Sequence, residues 1–129
     1  MSDIKILAVD DSSLSRRRFV AKPLRDAGYE VCEAVNGEEG LSAVEEHNPD
    51  IIVSDLLMPV MDGFEFIAAL RDRGVTTPVI VASADIQETT REKLEELGTF
   101  AFINKPFKAD ELLTLVQSAA ASLTEEATA

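Results

Sequence analysis

Ile4-Lys5-Ile6-Leu7-Ala8-Val9 runs without a break into Asp10-Asp11. A stretch that is apolar apart from one lysine has the pattern of a β-strand covered on both faces. Its two acids fall just past the strand's carboxyl end. The arrangement recurs twice. Ile51-Ile52-Val53-Ser54 runs into Asp55, and Phe100-Ala101-Phe102-Ile103-Asn104 runs into Lys105-Pro106. In an open parallel sheet, ligands bind in the crevice beyond the carboxyl ends of the strands. That rule gathers three carboxylates and one ammonium into a single pocket. Carboxylates so close repel one another strongly, and a hard cation such as Mg²⁺, which takes oxygen ligands, resolves the repulsion. The constellation reads as a metal-assisted phosphoryl site.

Helices are expected in every interval between strands. The first runs from about Ser13 to Ala27 and stops at Gly28, a good C-terminal glycine. Glu30 to Ala34 is a short mixed strand, suited to a sheet edge. A second helix runs from about Gly37 to His47, with Leu41 and Val44 facing inward. A third runs from about Gly63 to Arg73, with Phe64, Ile67, Ala68 and Leu70 as its apolar stripe. Strand four is Pro78 to Ala82, followed by a helix from about Ile86 to Leu97. A fifth helix is expected from about Ala109 to Ser122, with Asp110 and Glu111 at its positive end. Strands alternating with helices of this length imply a parallel sheet with right-handed crossovers. The fold expected is a single α/β domain, (βα)5 and flavodoxin-like, three-layered, with sheet order 2-1-3-4-5. Its switch point, between strands one and three, is where Asp10, Asp11 and Asp55 meet. Residues 1–123 form this domain. Residues 124–129 read as a frayed tail with no output domain.

Composition excludes several classes. The 129 residues carry 12 Lys and Arg against 24 Asp and Glu, a net charge of -12. Direct nucleic-acid contact needs a basic footprint that this chain lacks. The lone Cys32 cannot form an internal disulfide. No apolar run approaches membrane-spanning length and no signal-peptide pattern opens the chain, so the cytoplasm is the expected compartment. Neither GxGxxG nor GxxxxGK[ST] is present, which argues against a nucleotide cradle.

The motifs, taken together and in order, resemble the receiver domain of bacterial two-component response regulators, the CheY-like family, over residues 4–122. They are Asp10-Asp11, Asp55, Met58-Pro59, Met61-Asp62-Gly63, Ser83-Ala84 and Lys105-Pro106-Phe107. The resemblance implies that Asp55 is the phosphoacceptor, attacking the phosphohistidine of a histidine kinase or histidine phosphotransfer protein. It implies Mg²⁺ held by Asp11, Asp55 and the Leu57 backbone carbonyl, with Asp10 acting through a metal-bound water. Lys105 would pair with the phosphoryl oxygens, Ser83 would hydrogen-bond one of them, and Phe102 would be the aromatic switch. Lys105-Pro106 resembles the family's cis peptide. The protein would be a stand-alone phosphocarrier that catalyses only its own phosphorylation and dephosphorylation. Its partners would be the kinase, a downstream target and a phosphatase. Flagellar switching, a phosphorelay shuttle and a phosphate sink fit the sequence equally.

Taken one at a time, the residues have plainer readings. Asp10 and Asp11 suit a helix N-terminus, Asp55 a turn, Ser83 a helix N-cap, and Lys105 an exposed surface. Phe102 fits a core or an exposed strand equally. A haloacid-dehalogenase-type phosphatase also uses a strand-end Asp, but a second acid is expected two residues on, where this chain has Leu57. A degenerate receiver that only binds proteins is the nearest rival; the complete acid set argues against it. His47 and the run Glu92, Glu95, Glu96 read as surface features, and Arg16-Arg17-Arg18, pointing different ways on a helix, as no single patch.

Two departures sharpen the expectations. The interval Ser12–Ala27 holds one residue more than the resemblance implies, and Pro23 lies within it. Proline removes a helical hydrogen bond, and extra residues are absorbed as π-bulges. A bulge or kink is therefore expected between about Phe19 and Pro23. In the family, the side chains two residues beyond the phosphoacceptor and two beyond the Ser/Thr flank the attacking water. Here they are Leu57 and Asp85. Leucine cannot orient a water, so slow self-dephosphorylation is expected.

Overall fold

Among the described residues, β1 (Lys5–Val9), β2 (Glu30–Ala34), β3 (Ile51–Ser54), β4 (Val79–Ser83) and β5 (Ala101–Asn104) form one parallel sheet. Its order is β2-β1-β3-β4-β5, the one expected of a flavodoxin-like fold. The computed structural model describes residues 4–84 and 87–128.

The sheet divides the core in two because successive strand side chains point to opposite faces. Ile6, Ala8, Ile51, Val53 and Ile80 pack against α1 (Ser15–Ala21 continued by Lys22–Asp26) and α5 (Ala109–Thr128). Leu7, Val9, Ile52, Val79 and Val81 pack against α2 (Gly37–His47), α3 (Gly63–Asp72) and α4 (Glu88–Glu96). Each large aliphatic side chain so buried contributes about 1.5–3 kcal/mol.

Local chemistry sets the helix ends. The Asn36 side chain accepts from the Glu39 N–H at 2.8 Å and opens α2. Asp62 and Glu65 form a reciprocal capping box at the start of α3, which satisfies two otherwise orphaned N–H groups. Gly28, Gly74 and Gly98 follow α1, α3 and α4 with φ of 98°, 79° and 73°, the left-handed termination that glycine adopts freely.

Helix α1 consists of a π-helical segment, Ser15–Ala21, continued by an α-helical segment, Lys22–Asp26. The Lys22 N–H donates to the Arg17 carbonyl, five residues back. The extra residue is thus absorbed as a π segment, which begins four residues earlier than the expected start at Phe19. Pro23, which has no N–H, sits where the π register gives way to the α register, so its missing donor falls at the change.

Other boundaries also differ. Phe66, not Phe64, is the fully buried aromatic of α3: the inward row is Gly63, Phe66, Ile67 and Leu70. Phe64 lies on the flank, with the Lys93 ammonium 4.9 Å from its ring centroid. Strand β4 extends to Ser83, and α4 has Gln87 as its N-cap, so Ser83 is a strand residue and not a cap. The expected start of the fourth helix at Ile86 lies outside the described residues. Helix α5 continues through Thr128 instead of ending near Ser122. The run Ala119–Ala121 is strongly helix-forming and offers no stop signal.

Candidate functional site

The strand ends bring the predicted acids together. Ligand oxygens of Asp10, Asp11 and Asp55 all lie within 4.8 Å of one another. Backbone hydrogen bonds hold the loops that carry them. The Asp10 N–H donates to the Ala34 carbonyl at 3.1 Å, and the Asp55 N–H to the Val9 carbonyl at 2.9 Å. Asp10 is buried, at 4% exposure; Asp55 is partly buried and Asp11 faces solvent.

Lys105 arrives from the far side. Its Nζ donates to Asp10 Oδ2 at 2.9 Å and to Asp55 Oδ2 at 3.3 Å. The Lys105 N–H donates to the Ser83 carbonyl at 2.8 Å, so the ends of β4 and β5 are tied together at the pocket. The Lys105-Pro106 peptide is cis. The remaining oxygens are also engaged. Asp10 Oδ1 accepts from the Ser12 N–H at 3.0 Å, and Asp55 Oδ1 from the Leu56 N–H at 2.7 Å.

Burial is the largest influence on the Asp55 carboxyl and pushes it above the ordinary carboxylate range; Lys105 opposes this and the Asp10 charge adds to it. Burial alone would lower Lys105, but its hydrogen bond and charge interaction with Asp10, and then Asp55, hold the ammonium above its usual value. A carboxylate with a raised pKa is more basic, which favours nucleophilic attack, while the anchored ammonium supplies counter-charge.

The donor set fits Mg²⁺. All three side chains offer hard oxygens, and such a site binds through one or two carboxylates while water completes the octahedron. The Asp11 carboxylate accepts no hydrogen bond among the described residues. Asp10 and Asp55 each have both carboxylate oxygens engaged by donors.

The loop after β3 is tightly built. The Gly63 N–H donates to the Leu56 carbonyl at 2.8 Å, and a β-carbon on Gly63 would stand 2.5 Å from the Asp55 carbonyl oxygen. Within this loop Val60 has φ 71°, and the Met61 N–H reaches back to the Pro59 carbonyl at 2.7 Å. A β-branched residue rarely takes that conformation. The Leu57 side chain stands at the rim, 73% exposed. Asp85, its expected counterpart, lies outside the described residues.

Ser83 is buried at the end of β4, with 2% exposure. Phe102 pairs in register with Val81, and Ser83 with Asn104. Residues two apart on a strand share a face, so Ser83 and Phe102 lie on the same side of the sheet, diagonally placed. The Arg91 guanidinium of α4 sits 5.1 Å from the Phe102 ring centroid.

The three consecutive arginines differ in burial, although Arg16 and Arg17 both approach Glu33 Oε1, at 2.8 and 4.0 Å. Arg17 is exposed and Arg18 lies 5.9 Å from the Phe19 ring centroid. Arg16 is buried, and its guanidinium reaches the Asp10 carbonyl and Glu33. Nothing in the run Arg16-Arg17-Arg18 itself distinguishes Arg16 from its neighbours. The available signal was Glu33 in β2, which the expected order places beside β1.

Residues 6–117 match the family model described as response regulator receiver domain. The chemotaxis protein CheY of Listeria monocytogenes is 36% identical over 118 residues, covering 91% of this chain and 98% of that protein. The protein-glutamate methylesterase/protein-glutamine glutaminase 2 of Koribacter versatilis is 38% identical over 131 residues. That match covers 92% of this chain, which spans only 36% of the longer relative. The solved structure of Vibrio cholerae chemotaxis protein CheY4, crystallised at low pH, superposes with a TM-score of 0.85 at 37% identity, covering 92% of this chain and 99% of that one.

Proposed function

Because the chain belongs to the response regulator receiver domain family, we propose that it takes a phosphoryl group onto Asp55 from a phosphorylated histidine and changes protein partners in consequence. Receivers of the CheY-like kind are signalling proteins and not turnover enzymes, although some relatives join one to a methylesterase. The observation that carries the proposal is the Lys105 ammonium bridging Asp10 and Asp55 inside a cluster of three carboxylates.

Phosphoryl transfer needs alignment and charge neutralisation more than covalent machinery. The Asp55 carboxylate attacks phosphorus, the phosphorus–nitrogen bond of the donor breaks, and the imidazole leaves with the electron pair. The product is an acyl phosphate on Asp55. Mg²⁺, held directly by Asp11, Asp55 and the Leu57 carbonyl and through water by Asp10, would supply neutralisation of the transferred oxygens. Lys105 stays within reach of the new dianion, and the Ser83 hydroxyl donates to one of its oxygens. As that hydroxyl moves, Phe102 leaves its contact with Arg91 and turns inward, which alters the surface formed by α4, β5 and α5. Such a shift needs differential stabilisation of a few kcal/mol, and about 5.5 kcal/mol for reversal from 1:99 to 99:1.

The partners on this reading are a histidine kinase or histidine phosphotransfer protein as donor, and a target protein that reads the altered surface, all in the cytoplasm. Among the described residues no helix is long and apolar enough to cross a membrane. The test is labelling by acetyl phosphate. The wild type should gain an alkali-labile phosphoryl group only when Mg²⁺ is present, and Asp55→Asn should gain none. Labelling that survives Asp55→Asn, or ignores Mg²⁺, would refute the assignment.

A further inference from the structure

Arg16 is 5% exposed, although it follows an exposed helix start. A buried guanidinium requires partners, and this one has two at opposite ends of its fork. NH1 donates to the Asp10 carbonyl at 2.7 Å, and Nε donates to Glu33 Oε1 at 2.8 Å. Glu33 is held in turn, because Arg25 NH2 donates to its Oε2 at 3.2 Å and to the Val31 carbonyl at 2.9 Å. Burial pushes the Glu33 carboxyl up, but hydrogen bonds from Arg16 and Arg25 outweigh it and hold the group below its ordinary range. The chain of contacts therefore runs from the end of α1, through a carboxylate on β2, to the backbone of the acidic loop.

The Asp10 carbonyl belongs to the peptide unit joining Asp10 to Asp11. The orientation of that plane sets the directions of both side chains. Asp10's own N–H is spent on Ala34, its Oδ1 on the Ser12 N–H and its Oδ2 on the Lys105 ammonium. The Arg16 contact fixes the remaining polar atom of the residue. Behind the pocket, a space of about 10 Å³ is walled by Asp10, Arg16, Ser54 and Asp55 among others, so the arginine borders the same volume as two of the acids. Arginine suits the task because its planar fork meets two acceptors at fixed geometry, whereas lysine offers a point charge on a flexible stem.

We infer that Arg16, oriented by Glu33, is a positioning residue that fixes the Asp10–Asp11 peptide plane and thereby sets the pocket's affinity for a divalent cation. This rests on the proposed receiver chemistry. Outer partners of this kind typically change metal affinity by 10–100-fold when removed.

The test is Mg²⁺ titration of the full chain by calorimetry, with amide chemical shifts of Asp10 and Asp11 as a second readout. Arg16→Met should weaken Mg²⁺ binding by about tenfold or more and displace both amide signals. Arg16→Lys, which keeps the charge and is the variant to read if the methionine form does not fold, should weaken binding several-fold. Arg71→Met is the control. Arg71 is a partly buried arginine remote from the pocket, donating to the Leu97, Val75, Thr77 and Gly98 carbonyls. Its loss should lower the melting temperature and leave Mg²⁺ affinity unchanged. If the Arg16 variants bind Mg²⁺ as the wild type does, or Arg71→Met weakens binding equally, the inference is overturned while the receiver reading stands. If the wild type binds no Mg²⁺, both fall.

Discussion

Gly63→Ala tests how closely the backbone around Asp55 is built. The added β-carbon would stand 2.5 Å from the Asp55 carbonyl oxygen, 2.8 Å from the Leu56 Cα and 3.0 Å from Leu56 Cδ2. The two nearest atoms are backbone and cannot swing away as a side chain can. To reach ordinary contact at 3.4 Å the carbonyl has to retreat by about 0.9 Å, in a packed interior that transmits such strain. The Asp55 N–H is pinned to Val9, so the displacement falls on the segment that aims the phosphoacceptor. Overpacking of this kind costs about 1–3 kcal/mol, and for a chain of this size each kcal/mol lowers the melting temperature by about 4 °C. A misplacement near 1 Å costs about a hundredfold in rate. The variant should therefore fold, melt lower, and be phosphorylated by acetyl phosphate with Mg²⁺ about ten- to a hundredfold more slowly, as read by intact-protein mass spectrometry. Gly40→Ala is the control, because the three atoms nearest its β-carbon would all belong to the Phe66 ring, the closest at 2.9 Å. It should lose stability and keep the rate. Wild-type phosphorylation of Gly63→Ala, or equal slowing of Gly40→Ala, would refute the reasoning.

Leu57→Asn should speed decay of the Asp55 phosphoryl group by about tenfold or more, since an amide can orient the attacking water. Because the side chain is exposed, its stability should stay within about 0.5 kcal/mol of wild type; decay no faster than wild type after removal of the donor would clear Leu57 as the brake. Asp55→Asn should raise the melting temperature without Mg²⁺ at neutral pH. The Asp55 carboxyl is raised in the folded state, so its ionised form destabilises the fold above that raised value; below the ordinary carboxylate range it is protonated both folded and unfolded, and the advantage should vanish. Adding Mg²⁺ at ten times its dissociation constant should then stabilise the wild type by about 1.4 kcal/mol; melts across pH and Mg²⁺ check both parts. Val60→Gly should stabilise the fold by about 1 kcal/mol, because a valine at φ 71° stores backbone strain that glycine does not; an unchanged denaturation midpoint would count against it. Ser83→Ala should still accept phosphate on Asp55 but blunt the accompanying NMR shifts in α4; undiminished shifts would argue against coupling of Ser83 to Phe102.

Element types were legible because each rests on a local signal, and the sheet order because alternating strands and helices with right-handed crossovers leave few arrangements, of which the flavodoxin-like one was expected. Apolar runs bounded by glycine and proline mark doubly covered strands, and α2 matches its expected span of Gly37 to His47 because Asn36 and Asn48 punctuate it. The acidic cluster was legible for a different reason. Once parallel order is known, strand ends must converge, so Asp10, Asp11, Asp55 and Lys105 could be placed together from chain position alone. Pro23 and the extra residue in Ser12–Ala27 likewise announced an irregular helix. The sequence did not place the start of its π segment, which lies at Ser15. What only the tertiary structure decided was direction and burial. Phe64 and Phe66 are both compatible with an apolar stripe, and the rotation of α3 against the sheet selected Phe66. Arg16, Arg17 and Arg18 are identical in sequence terms. Arg16 alone is buried, because β2 brings Glu33 beside the first loop and the Asp10 carbonyl faces inward. A side chain's partners across 17 or 95 residues of chain, as for Arg16 with Glu33 or Lys105 with Asp10, exist only after the sheet has assembled, and no local pattern encodes their geometry.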